Sequence, residues 1–261
     1  MPRYKLTIEY DGTHYHGWQK QDDYPSIQTS IETALSKFCG SEVDVVGAGR
    51  TDSGVHATAQ VAHIDLPKEY DPFRVMQGIN FYLFGETDNA DGNPDKISTT
   101  SNRITILKAE AVSDDFNARF SAKKRHYLYR IINRRARLGL EANRAWHVVE
   151  ELDVTAMNQA AQLLVGHHDF TSFRDTQCQA KSPEKTLEKL EIIRTGNEIR
   201  VFASARSFLH HQVRNMVGTL ALVGKGRWKV EDVKTALDAH DRTKAGPTAP
   251  ADGLYLIGVD Y

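Results

Sequence analysis

One carboxylate, Asp52, stands inside the run Gly47-Ala48-Gly49-Arg50-Thr51-Asp52-Ser53-Gly54-Val55-His56-Ala57, two residues after a guanidinium and flanked by small hydroxyl residues. The three glycines of this run let a backbone turn sharply or approach a ligand closely, so the run reads as a loop built around a reactive side chain. A carboxylate so placed can serve as nucleophile or as base. Two other loop chemistries fail on spacing. A dinucleotide fingerprint would need a third glycine where Asp52 stands, and a phosphate loop needs Gly-Lys-Ser/Thr, which is absent. A surface turn with an ordinary Asp is the bland alternative. Histidine pairs at His14/His16, His167/His168 and His210/His211 raise a metal site as a rival. Adjacent histidines on a strand point to opposite faces, and none lies in His-Glu-x-x-His spacing, so no metal is expected.

The elements that must position these groups are legible from periodicity. Tyr4, Leu6, Ile8 and Tyr10 alternate with polar residues as a half-buried strand. Ser26 caps a helix to about Phe38 with Ile27, Ile31, Ala34, Leu35 and Phe38 on one face. Strands are expected over 43–46 and 58–66, a helix opening at Asp71-Pro72, and a strand over 104–112. That is the ferredoxin-like order strand-helix-strand-strand-helix-strand. A similar order follows: a strand over 123–132, a helix over 153–165, a hairpin of 187–194 and 199–205 around Gly196-Asn197, helices over 208–223 and 230–239, and a strand over 254–261. On the penultimate long helix Leu209, Val213, Met216, Leu220 and Val223 form an apolar stripe. Arg214 sits at its edge, where a guanidinium either snorkels to water or forms a two-pronged contact with a carboxylate. The expected organisation is two α/β parts, 1–113 carrying the Asp52 loop and 114–261 carrying basic segments. A polar, turn-rich insertion is expected at about 85–103.

Net charge is −1, from 33 basic and 34 acidic residues, but the charges are segregated. Residues 116–140 hold Arg119, Lys123, Lys124, Arg125, Arg130, Arg134, Arg135 and Arg137 without an acid. Residues 199–230 hold Arg200, Arg206, Arg214, Lys225, Arg227 and Lys229, again without one. Such patches attract phosphates whatever the total charge, so RNA is the expected partner. Cys39 and Cys178 are far apart and suggest no disulfide framework. No apolar run is long enough to span a bilayer, and no signal segment precedes the first strand; a cytoplasmic location is expected.

Beyond these readings, several separated strings share an order with one family. They are Tyr10-Asp11-Gly12-Thr13 with Gly17-Trp18-Gln19, the Asp52 run, 114–122 with Arg125-His126-Tyr127-Leu128-Tyr129, Phe208-Leu209-His210-His211-Gln212-Val213-Arg214, and Gly253-Leu254-Tyr255-Leu256. Together they resemble the tRNA pseudouridine synthases of the TruA type. The resemblance implies two ferredoxin-like halves fused through a continuous antiparallel sheet, with a central cleft. It implies isomerisation of uridine to pseudouridine at positions 38, 39 and 40 of the tRNA anticodon stem-loop, without a cofactor, by a homodimer. It assigns Asp52 as the catalytic carboxylate, Arg214 as its cationic partner and Tyr127 as the ring that stacks on the flipped uracil. Arg50 would hold the displaced nucleotide, and Leu254 would pack against the base edge. Whether the carboxylate attacks the sugar, adds to the base or deprotonates the sugar stays open. The rivals are a non-catalytic RNA-binding protein and a metal-dependent hydrolase.

Overall fold

The computed structural model describes residues 1–84 and 103–261; apart from Arg103, the expected insertion lies outside the described residues. Contacts divide the chain into one unit of Met1–Lys123 with Leu256–Tyr261 and a second of Lys124–Tyr255. The chain is mixed α/β, with mostly antiparallel strands and five α-helices among the described residues. None of those helices is long and apolar enough to cross a membrane.

In the first unit β1 (Arg3–Tyr10) buries every second residue, as its alternation requires. It is followed by α1 (Ile27–Cys39), β2 (Val46–Gly47), β3 (His56–Asp65), α2 (Pro72–Phe84) and β4 (Ile104–Val112). β1 lies between β3 and β4, antiparallel to both, so that Leu6 stands opposite Ala62 on one side and Ala109 on the other. β2 pairs with β3. The hydroxyl of Ser26 caps α1 by accepting the Thr29 N–H, and Gly40 ends the helix at φ 73. Ile27, Ile31, Ala34 and Leu35 turn inward as their spacing predicts. Phe38 reaches Gly78 of α2, where an added Cβ would lie 2.2 Å from the ring. The strand expected over 43–46 shrinks to Val46–Gly47, although Val43 and Val45 are buried. Burial, rather than a hydrogen-bond ladder, is what their alternation encodes.

The second unit contains β5 (Lys124–Asn133), β6 (Trp146–Val148), α3 (Val154–Gln162), β7 (Gly166–Asp169), β8 (Glu184–Thr195), β9 (Glu198–Ala205), α4 (Gln212–Gly224) and α5 (Val230–Asp238). β5, β9, β8 and β7 form an antiparallel run in that order, and β6 adds to β5 in parallel. β10 (Leu254–Asp260) closes the chain. Within the first unit the Lys123 N–H donates to the Asp260 carbonyl at 2.8 Å, and the Tyr261 hydroxyl donates to the Ala118 carbonyl at 2.8 Å.

One helix boundary departs from the periodicity. α4 begins at Gln212 rather than at Phe208, because His211 adopts φ 61, which no right-handed helix accommodates. The apolar stripe itself is buried throughout, and α4 is so enclosed that its polar residues Asn215 and Thr219 are also buried.

Candidate active site

The Asp52 loop is held by close backbone packing that only glycine permits. Gly17 has φ 91, and a Cβ there would lie 2.5 Å from the Thr51 carbonyl oxygen. A Cβ on Gly12 would lie 2.1 Å from the Val55 carbonyl oxygen. Hydrogen bonds complete the seam. The Trp18 N–H donates to the Thr51 carbonyl at 3.0 Å, and the Ser53 hydroxyl donates to the Tyr15 carbonyl at 3.2 Å. The loop closes on itself where the Val55 N–H meets the Asp52 carbonyl at 3.1 Å. Thr51 is buried and shares a 2.8 Å hydrogen bond with the Tyr10 hydroxyl. Asp52 is half-buried on this framework and Arg50 is exposed.

Beneath the loop lies a polar network that sequence reasoning missed. Asp11 pairs with Arg103 and accepts from the Thr13 N–H at 3.0 Å. His56, almost fully buried, places Nδ1 3.1 Å from the Gly12 nitrogen and 3.3 Å from Asp11 Oδ1. Unprotonated, that nitrogen accepts the Gly12 N–H; protonated, it donates to Asp11. Burial works against the Asp11 charge, but the hydrogen bonds from His56 and Thr13 outweigh it and hold its carboxyl far below the usual carboxylate range. The signal was present, because Asp11, Gly12 and His56 all stand inside the motif strings. Nothing in their spacing showed that they meet.

In the second unit Arg214, half-buried near the start of α4, donates from Nε to the Ala249 carbonyl at 2.8 Å, while the Ala249 N–H returns to the Arg214 carbonyl at 3.1 Å. The segment leading to Leu254 is thereby strapped to α4. Asn215 secures it further, accepting the Thr248 hydroxyl at 2.6 Å while its amide donates to the Phe173 carbonyl at 2.9 Å. The absent side chain of Gly218 leaves room for the Pro247 carbonyl, which a Cβ would meet at 1.8 Å. Tyr129, fully buried, donates to the Pro250 carbonyl at 2.7 Å and is a core residue. Tyr127, two residues earlier on β5, is half-buried and packs edge-on against Phe208 with ring centres 5.2 Å apart. Leu254 is buried at the start of β10. Ahead of α4, the His211 ring lies 2.7 Å from Asp175 Oδ2, which braces its left-handed backbone. Of the expected site residues, Arg50 and Asp52 thus belong to the first unit, and Tyr127, Arg214 and Leu254 to the second.

A family model for tRNA pseudouridine synthases matches residues 6–121 and 160–261. The chain belongs to the tRNA pseudouridine synthase family. Relatives named tRNA pseudouridine synthase A support the match over full length. The one from Rhodopseudomonas palustris (strain BisA53) is 57% identical over 100% of both chains. The one from Maricaulis maris is 54% identical over 100% of this chain and 98% of its own. The one from Bradyrhizobium diazoefficiens is 53% identical over 100% of both. As a family member the protein is an isomerase acting on tRNA, converting uridine to pseudouridine. The matched segments include the Asp52 loop, Arg214 and Leu254, while Tyr127 falls between them.

The space around the second unit changes the reading of the basic runs. Acids distant in sequence neutralise several of their members. Lys124 meets Glu188, Arg130 meets Glu141 at 2.8 Å and Glu198 at 2.7 Å, and Arg227 meets Glu150 at 3.0 Å. An acid-free stretch of sequence is therefore not an acid-free surface.

Proposed function

We propose that this synthase isomerises uridine at positions 38, 39 and 40 of the tRNA anticodon stem-loop, with the Asp52 carboxylate as catalyst. The observation that carries the reading is the Asp52 loop, a half-buried carboxylate held on a seam where Gly12 and Gly17 leave no room for side chains. Such fixed geometry is what a reacting group requires. The reaction breaks the bond from N1 of uracil to C1′ of the ribose, turns the base, and joins C5 to C1′. The hydrogen displaced from C5 leaves as a proton and N1 gains one, so nothing is oxidised or reduced. The carboxylate attacks the sugar or the base, or removes a sugar proton. In each case it begins ionised, which in a cleft calls for a nearby cation; Arg214 fills that role.

The target base is taken out of its stack before chemistry. Tyr127 then offers its ring to the uracil, Arg50 holds the displaced nucleotide by its phosphate, and Leu254 packs against the base edge. The part of the chain over 1–113 supplies the carboxylate, and that over 114–261 supplies base and RNA contacts. The active species is a cytoplasmic homodimer, a closed two-fold assembly being the commonest oligomer. Pseudouridine mapping of unmodified tRNA after incubation with the protein tests the reading. Modification at 38, 39 and 40 is expected; modification only elsewhere in the tRNA overturns it.

A further inference from the structure

We propose that the loop over residues 134–144, between β5 and β6, is a preformed anchor for tRNA phosphates, remote from the base that reacts. This stretch lies outside the segments matched by the family model. It holds four arginines, Arg134, Arg135, Arg137 and Arg144, against one acid, Glu141. Glu141 is already engaged by Arg130 at 2.8 Å. Among the described residues no carboxylate lies within ion-pair distance of the Arg135 or Arg137 guanidinium, and both residues are exposed. Arg134 spends its donors on the carbonyls of Ala136 at 3.2 Å and Arg137 at 3.4 Å, which stiffens the loop without cancelling its charge.

The loop is built rather than loose. His147 Nε2 lies 2.8 Å from the Arg134 carbonyl at one stem. At the other stem the Tyr255 hydroxyl donates to the Arg144 carbonyl at 2.7 Å. Arg130 braces the base of the loop through Glu141 and Glu198; burial opposes its charge, and these two carboxylates outweigh that and raise its pKa. Backbone turns close from Ala142 to Gly139 at 3.2 Å and from Arg144 to Glu141 at 3.0 Å, and Asn143 takes φ 60. A loop ordered in advance loses little freedom on binding. At its tip Leu140 is 96% exposed, an apolar side chain set among guanidinium groups. Arginines fit a polyanion, and a projecting leucine adds contact with a ribose or base face that salt does not screen.

Six residues of β5 lie between Tyr127 and Arg134, which puts the two roughly 20 Å apart at the rise of a strand. The anchor therefore grips a part of the tRNA beyond the reacting nucleotide. It rests on the family's tRNA substrate and on the proposed place of Tyr127 at the base, and not on the assignment of Asp52. Its loss changes binding and leaves chemistry intact.

The test uses the full chain with Arg135→Glu/Arg137→Glu, the charge-keeping Arg135→Lys/Arg137→Lys, and Leu140→Ser. KM and kcat for pseudouridine formation in tRNA, tRNA affinity against salt, and sedimentation are measured for each. The double Glu variant is expected to raise KM on the order of tenfold at unchanged kcat. It should also flatten the slope of log affinity against log salt by about 1.5 to 2, the share of two lost phosphate contacts. The Lys variant should retain most affinity, and Leu140→Ser should weaken binding with the salt slope unaltered. Unchanged KM and salt slope in the Glu variant overturn the proposal, as does a fall in kcat alone. Altered sedimentation with intact tRNA affinity also overturns it and makes the loop a protein contact instead.

Discussion

Gly12→Ala should damage catalysis by displacing the Asp52 loop. The new Cβ would stand 2.1 Å from the Val55 carbonyl oxygen and 2.7 Å from its carbon, about 1 Å inside the closest approach a Cβ makes. Both partners are backbone, so the loop must move. Val55 donates its N–H to the Asp52 carbonyl at 3.1 Å, so the shift passes directly to the carboxylate-bearing residue. A displacement of about 1 Å at a reacting group costs on the order of 100-fold in rate, and the overpacking itself costs about 1–3 kcal/mol of stability. The control lies in the same motif: a Cβ on Gly49 meets nothing within 4 Å, and Gly49 has no positive φ. Single-turnover pseudouridine formation at saturating enzyme, with a thermal melt of each variant, separates rate from binding and folding. A folded Gly12→Ala protein within twofold of the wild-type rate contradicts this coupling of Gly12 to Asp52, as does a Gly49→Ala protein equally impaired.

Arg214→Leu should lower the rate of pseudouridine formation at intact tRNA binding; a variant with the wild-type rate contradicts the role proposed for Arg214. His63, which accepts the Ala118 N–H at 3.1 Å, has its pKa lowered by burial and, further, by the nearby Arg3. The unfolded chain then binds a proton that the folded chain refuses, so this stability is present above about pH 6.5 and is lost as pH falls below it. His63→Gln, whose amide oxygen can still accept that N–H, should flatten the decline in melting temperature between pH 7 and 5; an unchanged slope removes His63 as its source. Sedimentation at micromolar concentration should show a dimer, and a fully active monomer rules the dimer out.

How far the sequence reached depended on whether a signal was local. β1 was legible because Tyr4, Leu6, Ile8 and Tyr10 alternate within one strand, and α1 because Ser26 and the Ile27–Leu35 spacing sit side by side. The start of α4 was not, since the left-handed His211 is braced by Asp175, 36 positions earlier. β6 and β7, with 3 and 4 residues, are too short for any period to register. For the site, the strings around Asp52 and Arg214 marked the segments, but the partnership of Gly12 with His56 spans 44 positions and leaves no periodic trace. The basic runs pointed to RNA, but which of their members stand beside acids was not legible, because Glu188, Glu198 and Glu150 approach them only in three dimensions. Tyr127 and Tyr129 share a strand face by alternation, yet one is half-buried and the other is wholly enclosed, with its hydroxyl bonded to the Pro250 carbonyl.

Removing the Asp52 charge tests most directly whether that carboxylate performs the isomerisation, as proposed. Asp52→Asn keeps the size and removes the charge, so tRNA affinity should change little while turnover disappears, one anion being a minor part of a multi-phosphate interface. The measurement is pseudouridine formed at positions 38, 39 and 40 of unmodified tRNA under single-turnover conditions, with tRNA binding measured on the same preparation. Intact binding and no detectable product are expected; a variant that retains even a tenth of the wild-type rate contradicts the catalytic role of Asp52.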